Sequence, residues 1–124
     1  MNEKSKSKFI EYFFKGIKKT NDIKIGVEHE RFLFIGKDKK RIEYPTLKKL
    51  FNNLKSENWS PVYEGEHIVG MRRGKQQITT EPGFQCELSG EPLKNIHQVC
   101  SESSKFLSEI KKASEGLNIN TVSI

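Results

Sequence analysis

Ile25-Gly26-Val27-Glu28-His29-Glu30-Arg31-Phe32 is the stretch from which the fold can be read. Apolar residues flank a charged centre, and the run continues to Ile35, so residues 23–35 read as a β-strand. Successive strand side chains point to opposite faces. Glu28 and Glu30 therefore share one face, roughly 7 Å apart along the strand, while His29 and Arg31 point the other way. Two carboxylates side by side on one face repel each other. A hard divalent cation is the simplest compensation, because oxygen ligands suit magnesium.

Outward from that strand, the chain punctuates itself. Upstream, residues 3–20 place Phe9, Ile10, Phe13, Phe14 and Ile17 at helical spacing with lysines on the other side, which predicts an amphipathic helix docked on the chain's own sheet. Downstream, residues 36–39 are turn material and residues 41–44 a short return strand. Pro45 opens a second helix to about residue 58, with Leu47, Leu50, Phe51 and Leu54 on one face. Residues 59–64 and 67–73 read as the arms of a hairpin turning at Glu64-Gly65-Glu66, and residues 76–81 and 84–88 as two strands broken at Pro82-Gly83. The longest helix spans about 93–116, and an apolar strand starts at Leu117 after the Gly116 stop. Hairpins without a βαβ rhythm give the fold class: α+β, an antiparallel sheet with helices packed on one side. The sequence offers the final strand no partner further along.

The 124 residues carry 34% hydrophobic and 31% charged side chains, enough for one small domain. The +6 net charge comes mainly from lysine. Base-reading interfaces favour arginine, so a lysine excess points to a solvated surface or to anionic ligands such as nucleotides. Cys86 and Cys100 show no metal-ligand spacing and read as reduced, partly buried thiols of a cytoplasmic protein. The polar run from Met1 to Lys8 has no apolar core of a secretory signal, and no apolar run reaches membrane-spanning length.

The second informative stretch is Gln76-Gln-Ile-Thr-Thr-Glu-Pro-Gly-Phe-Gln-Cys-Glu-Leu-Ser-Gly90. Gln85 and Glu87 form another same-face pair. Glu81 ends the preceding strand, and a tight bend, sterically permitted by Gly83, brings it back toward Glu87. Glu28, Glu30, Glu81 and Glu87 are thus four candidate magnesium ligands in one site. Arg72, Arg73 and Lys75, just upstream, are candidate contacts for phosphate or carboxylate. Set against this is a solvated sheet face whose glutamates pair with the abundant lysines. His29 reads as a packing or hydrogen-bonded histidine, and Cys86 lacks the neighbours of a thiol nucleophile.

Three segments resemble the N-terminal part of the plant and proteobacterial type of glutamate–cysteine ligase. They are Ile25-Gly-Val-Glu-His-Glu-Arg-Phe, Trp59-Ser-Pro-Val-Tyr-Glu-Gly, and Ile78-Thr-Thr-Glu-Pro-Gly-Phe-Gln-Cys-Glu-Leu-Ser-Gly-Glu-Pro-Leu. Their order and spacing match that family from about Ile23 onward. The resemblance implies an incomplete sheet of the glutamine-synthetase-like carboxylate–amine ligase type. It implies that residues 1–124 are the N-terminal part of a single catalytic domain, with 1–22 a leading helix and 23–124 the sheet and helices that carry the metal and ATP motifs. It implies ATP-dependent joining of the glutamate side-chain carboxylate to the cysteine amine, the first step of glutathione synthesis. Magnesium is the expected cofactor and glutamate, cysteine and ATP the expected partners, with no nucleic acid and no membrane. By that resemblance Glu28, Glu30, Glu81 and Glu87 serve magnesium and ATP, and Arg72, Arg73 and Gln85 hold substrate or phosphate; no residue is assigned as a nucleophile. The family's usual Gly-Gly-Gln-Phe-Glu is Gly83-Phe84-Gln85-Cys86-Glu87 here, so Phe84 stands where a bend glycine is expected. Two other readings stay open: an inactive fragment or remnant domain, motivated by the unpartnered final strand, and a basic nucleic-acid-binding domain, motivated by the charge.

Overall fold

A computed structural model describes residues 3–123 of the chain. Helix α1 (Glu3–Gly16) leads, followed by β1 (Glu28–Ile35), β2 (Lys40–Arg41) and α2 (Tyr44–Leu54). Strands β3 (Ser60–Glu64), β4 (His67–Arg73), β5 (Gln76–Thr80) and β6 (Cys86–Ser89) form a meander before helix α3 (Ile96–Ala113) and strand β7 (Ile119–Ser123). The sheet order is β2-β1-β6-β5-β4-β3, with β7 also paired to β1, and each pairing is antiparallel. The α+β class therefore stands.

The core lies between one sheet face and α2 with α3. Leu47, Leu50, Phe51 and Leu54 of α2 and Phe106, Ile110 and Ala113 of α3 meet Leu33, Ile68, Met71, Ile78, Cys86 and Leu88 of the strands. Alternation explains the strand members, since Cys86 and Leu88 are buried while Glu87 and Ser89 are not. In β4 the alternation breaks. Ile68 and Met71 are both buried although three residues apart, because the register slips between Val62 and Tyr63: Val62 opposes Gly70, whereas Tyr63 opposes Ile68. Val69 is the extra residue of a β-bulge, and the bulge reverses the facing of everything after it.

Three sequence expectations are corrected. The final strand is not left unpartnered, since β7 pairs with β1 from Arg31↔Ser123 to Ile35↔Ile119. Arg31 opposes Cys86 as well, so β6 and β7 flank β1 on its two edges. The last long helix begins later than its apolar pattern suggests: Leu93 forms an antiparallel bridge with Ile25, and Asn95 caps α3 by accepting a hydrogen bond from the Gln98 amide. Finally, α1 does not dock on the sheet, for none of its residues is buried.

Candidate functional site: the open sheet face

The sheet face away from α2 and α3 gathers the glutamates. On β1 the odd residues His29, Arg31 and Leu33 look toward the helices, so Glu28 and Glu30 look outward. Directly paired residues of neighbouring strands share a face. Glu30 opposes Glu87, and Glu87 in turn opposes Thr79. The adjacent row runs Glu28–Ser89–Gln77–Arg72–Ser60 across five strands. None of these side chains is buried. The Ser89 hydroxyl donates to Glu87 Oε1 at 3.2 Å. The strand pairing thus brings Glu28, Glu30, Glu87 and Arg72 onto one surface, and the alternation carries it on to Glu81 and Gln85.

Glu81 and Gln85 close the β5–β6 hairpin. The Glu81 amide donates to the Gln85 carbonyl at 3.0 Å, and the Phe84 amide donates to the Glu81 carbonyl at 2.7 Å. This is a three-residue loop, a type I turn followed by one left-handed residue. That residue is Phe84, at φ 58°, so the strained position is not the expected Gly83. A side chain is costly in this conformation. Phe84 is held there by packing against the core and by the Arg41 guanidinium, 5.4 Å above its ring. Arg41 also donates to the Pro82 carbonyl at 2.6 Å. The strain inverts the usual order of small residues: Phe84→Gly is expected to be more stable than Phe84→Ala by about 1 kcal/mol, read from urea midpoints. An alanine variant as stable as the glycine variant would contradict the left-handed assignment.

Arg73 does not join this group. It points to the helix-covered face, where its Nη1 donates to Glu109 Oε1 at 2.7 Å and to the Glu57 carbonyl at 3.1 Å. Its Nε donates to Gln76 Oε1 at 3.0 Å, and its guanidinium lies 4.2 Å from the centre of the Trp59 ring. The structure thus separates the two candidate anion contacts: β4 alternation puts Arg73 on the face opposite its neighbour Arg72, and its guanidinium binds a carboxylate of the chain itself. Glu109, the partner, escaped the sequence reading because an apolar stripe passes over a polar residue. Its one legible signal was its position, adjacent to Ile110 and three after Phe106.

The electrostatics of the open face are unbalanced. Among the described residues no ion pair involves Glu28, Glu30, Glu81 or Glu87. Glu30 and Glu87, directly opposed, place their Cβ atoms about 4.5–5.5 Å apart, where like charges destabilise a sheet. Among the described residues, however, no three His, Cys, Asp or Glu side chains come close enough to hold one metal ion together. The four glutamates therefore share a surface without forming a closed cage. The donor set nevertheless fits magnesium, which commonly takes one or two carboxylates and completes its shell with water and substrate phosphate.

The remaining candidates are accounted for. His29 faces the helices, and its buried Nε2 has no hydrogen-bond partner among the described residues. Cys86 is fully buried, and burial pushes its thiol up to about 12, against the pull of Arg31. Such a thiol is not a nucleophile. The folded chain keeps a proton that the unfolded chain releases near pH 9.0. The stability this carries is whole below pH 9 and is lost as pH rises toward 12. Cys100 is exposed. An aromatic disulfide reagent is accordingly expected to titrate Cys100 alone in the native chain and both thiols in denaturant; two fast native thiols would contradict the burial of Cys86.

With the geometry in hand, comparison with known proteins gives consistent matches. Over 121 residues, 97% of this chain, the sequence is 36% identical to a chloroplastic glutamate–cysteine ligase of Medicago truncatula, of which it covers 24%. It is 37% identical over 116 residues to the Arabidopsis thaliana protein of the same name, covering 93% of this chain and 22% of that one. Against glutamate–cysteine ligase A, chloroplastic, of Oryza sativa subsp. japonica, it is 34% identical over 121 residues, 97% of this chain and 25% of the relative. No family profile matches the chain. The chain spans about a quarter of the length of the curated relatives it matches. These relatives are all named as chloroplastic, which overturns the cytoplasmic expectation.

Proposed function

We propose that this chain, homologous to the glutamate–cysteine ligases over nearly all of its length, is the N-terminal part of a ligase catalytic domain of the glutamine-synthetase-like type. On this reading it supplies one wall of the site that joins the side-chain carboxylate of glutamate to the amine of cysteine at the expense of ATP. The observation that carries the proposal is the directly opposed, unpaired couple Glu30 and Glu87 on the open sheet face.

The chemistry needs such a face. A carboxylate is a poor acyl donor because its leaving group would be oxide. Transfer of the γ-phosphoryl group of ATP to a carboxylate oxygen, with ADP leaving, gives an acyl phosphate. The amine then attacks the acyl carbon, the C–O bond to phosphate breaks, and the amine surrenders a proton to solvent as the amide forms. When bound, magnesium neutralises the charge that builds on the phosphate oxygens. In this proposal Glu30 and Glu87 would hold the ion, with Glu28 and Glu81 on the same face as further carboxylates for it. Ser89 orients Glu87 through its hydroxyl. Arg72, exposed on the same row as Glu28, receives a phosphate or carboxylate oxygen, and Gln85 lines the end of the face nearest the turn. Arg73 takes no part in binding. The remaining ligands come from ligase polypeptide beyond this quarter.

Glu87→Gln tests the assignment twice. In the 124-residue chain without metal it is expected to raise stability by about 0.2–1 kcal/mol, because it removes a like-charge opposition. In a ligase that carries these residues it is expected to raise the magnesium concentration for half-maximal turnover by about tenfold or more, because one of two carboxylate ligands is lost. An unchanged magnesium dependence would remove Glu87 from the site.

A further inference from the structure

The register slip that turns Arg72 toward the glutamates has one side chain fastened to it. Regular alternation along β4 would place residues 68, 70 and 72 on one face and residues 69, 71 and 73 on the other. Ile68 and Met71 are nevertheless both buried, so the facing changes between them, where Val69 is the extra residue. In a regular strand, keeping Ile68 in the core would carry Arg72 under the helices and turn Arg73 outward. The facing of both arginines therefore depends on holding the bulge.

Strand pairing to β5 does not reach that point. The β4–β5 ladder ends at Met71↔Ile78, so Ile68 lies past its end. The amide of Ile68, a residue only 2% exposed, donates to the Tyr44 hydroxyl at 2.9 Å. Tyr44 is the first residue of α2. Its ring packs against the core and meets the His67 ring edge-on at 5.2 Å. A buried amide without an acceptor is costly. The hydroxyl supplies that acceptor one residue before Val69, from an element that is itself anchored in the core by Leu47, Leu50, Phe51 and Leu54.

We infer that Tyr44 is a positioning residue: by accepting from the Ile68 amide, its hydroxyl pins the bulge at Val69 and so sets Arg72 on the face of Glu28, Glu30 and Glu87 and Arg73 against Glu109. Tyr44 touches no substrate in this assignment and acts through the backbone of β4. That Arg72 then meets a phosphate or carboxylate oxygen rests on the ligase reading above; the facing of Arg72 does not.

Tyr44→Phe keeps the ring and removes only the acceptor. In the 124-residue chain it is expected to speed amide exchange at Ile68, Val69 and Gly70 by about tenfold more than at Ile78 and Leu88. Phenylglyoxal, which modifies accessible guanidinium groups, is expected to label exposed Arg72 well ahead of Arg73, whose side chain is 19% exposed. Tyr44→Phe is expected to speed the labelling of Arg73 by about threefold or more. Equal acceleration at all five amides would mark a general loss of stability and overturn the inference. So would an unchanged labelling rate at Arg73, which would mean that the bulge holds without the hydroxyl. Loss of the whole fold would overturn it too, because a local pin leaves the rest of the sheet intact.

In a ligase that carries these residues, Arg72→Ala is expected to raise the KM for ATP or for glutamate by about tenfold. Tyr44→Phe is expected to raise the same KM by about threefold or more, and to raise it no further when added to Arg72→Ala. Additive effects would overturn the inference, since Tyr44 would then act elsewhere than through Arg72. If Arg72→Ala leaves both KM values unchanged while Tyr44→Phe still speeds the labelling of Arg73, the ligase reading of Arg72 fails and the positioning of the strand stands.

Discussion

Glu109→Ala is expected to cost about 3–5 kcal/mol of stability, the range for removing one partner of a buried charge pair. Glu109 is 5% exposed and is the one buried charged residue among the described residues. Its Oε1 accepts from Arg73 Nη1 at 2.7 Å and its Oε2 accepts from Trp59 Nε1 at 3.0 Å. Lys105 stands farther off, at 3.9 Å, and is largely exposed. Alanine would leave the Trp59 indole N–H without its acceptor and the Arg73 guanidinium without its nearest counter-charge. It would also remove one of the two side-chain ties between α3 and the β4–β5 hairpin, leaving the bond from Gln76 Nε2 to Glu102 Oε2 at 2.7 Å as the other. Urea unfolding of the 124-residue chain reads the loss directly. Glu109→Gln, which keeps an acceptor and the side-chain volume, is expected to lose less than half as much. Arg73→Met combined with Glu109→Leu is expected to recover most of the stability, since a matched apolar pair can replace a buried ion pair at little cost. A loss below about 1 kcal/mol for Glu109→Ala would show that the pair behaves like a solvated one.

Gly70→Val is expected to destabilise by about 3 kcal/mol, the upper end of the range for overpacking. A Cβ at Gly70 would stand 2.7 Å from the carbonyl oxygen of Ile78, which is backbone and cannot swing aside. The two strands involved, β4 and β5, lie inside the sheet, between β3 and β6. Valine adds two methyl groups to the Cβ that already collides. The strands must separate or the bulge at Val69 must be lost, and losing the bulge turns Arg72 and Arg73 to the wrong faces. Gly83→Val is the control. There the colliding atoms belong to the flexible end of Gln85, so a smaller loss is expected. If both glycines tolerate valine equally, the close approach of the β4 and β5 backbones is absent.

Much of this arrangement could be read from residue order. Two-residue alternation in Ile25–Ile35 put Glu28 and Glu30 on one face and His29 on the other, because a pleated strand permits nothing else. The spacing of Leu47, Leu50, Phe51 and Leu54 marked the buried side of α2 for the equivalent reason in a helix. Ile68 and Met71 also announced a broken period, had their odd spacing been followed into Arg72 and Arg73. These are local matters, settled within a few residues by backbone geometry.

Other features depended on chain segments far apart in sequence. That Glu30 opposes Glu87 follows from the β1–β6 register, which no local pattern sets. That Arg73 finds Glu109 depends on where α3 crosses the hairpin, and that Phe84 holds a left-handed conformation depends on Arg41 and the core beneath it. Only the tertiary structure decided that α1 stands clear of the sheet: amphipathicity states that a helix has a face to bury and leaves open which surface will receive it. The sequence by itself determined which side chains could share a face. The long-range pairings decided which of them do, because a single bulge or a one-residue shift in register exchanges the two faces of a strand.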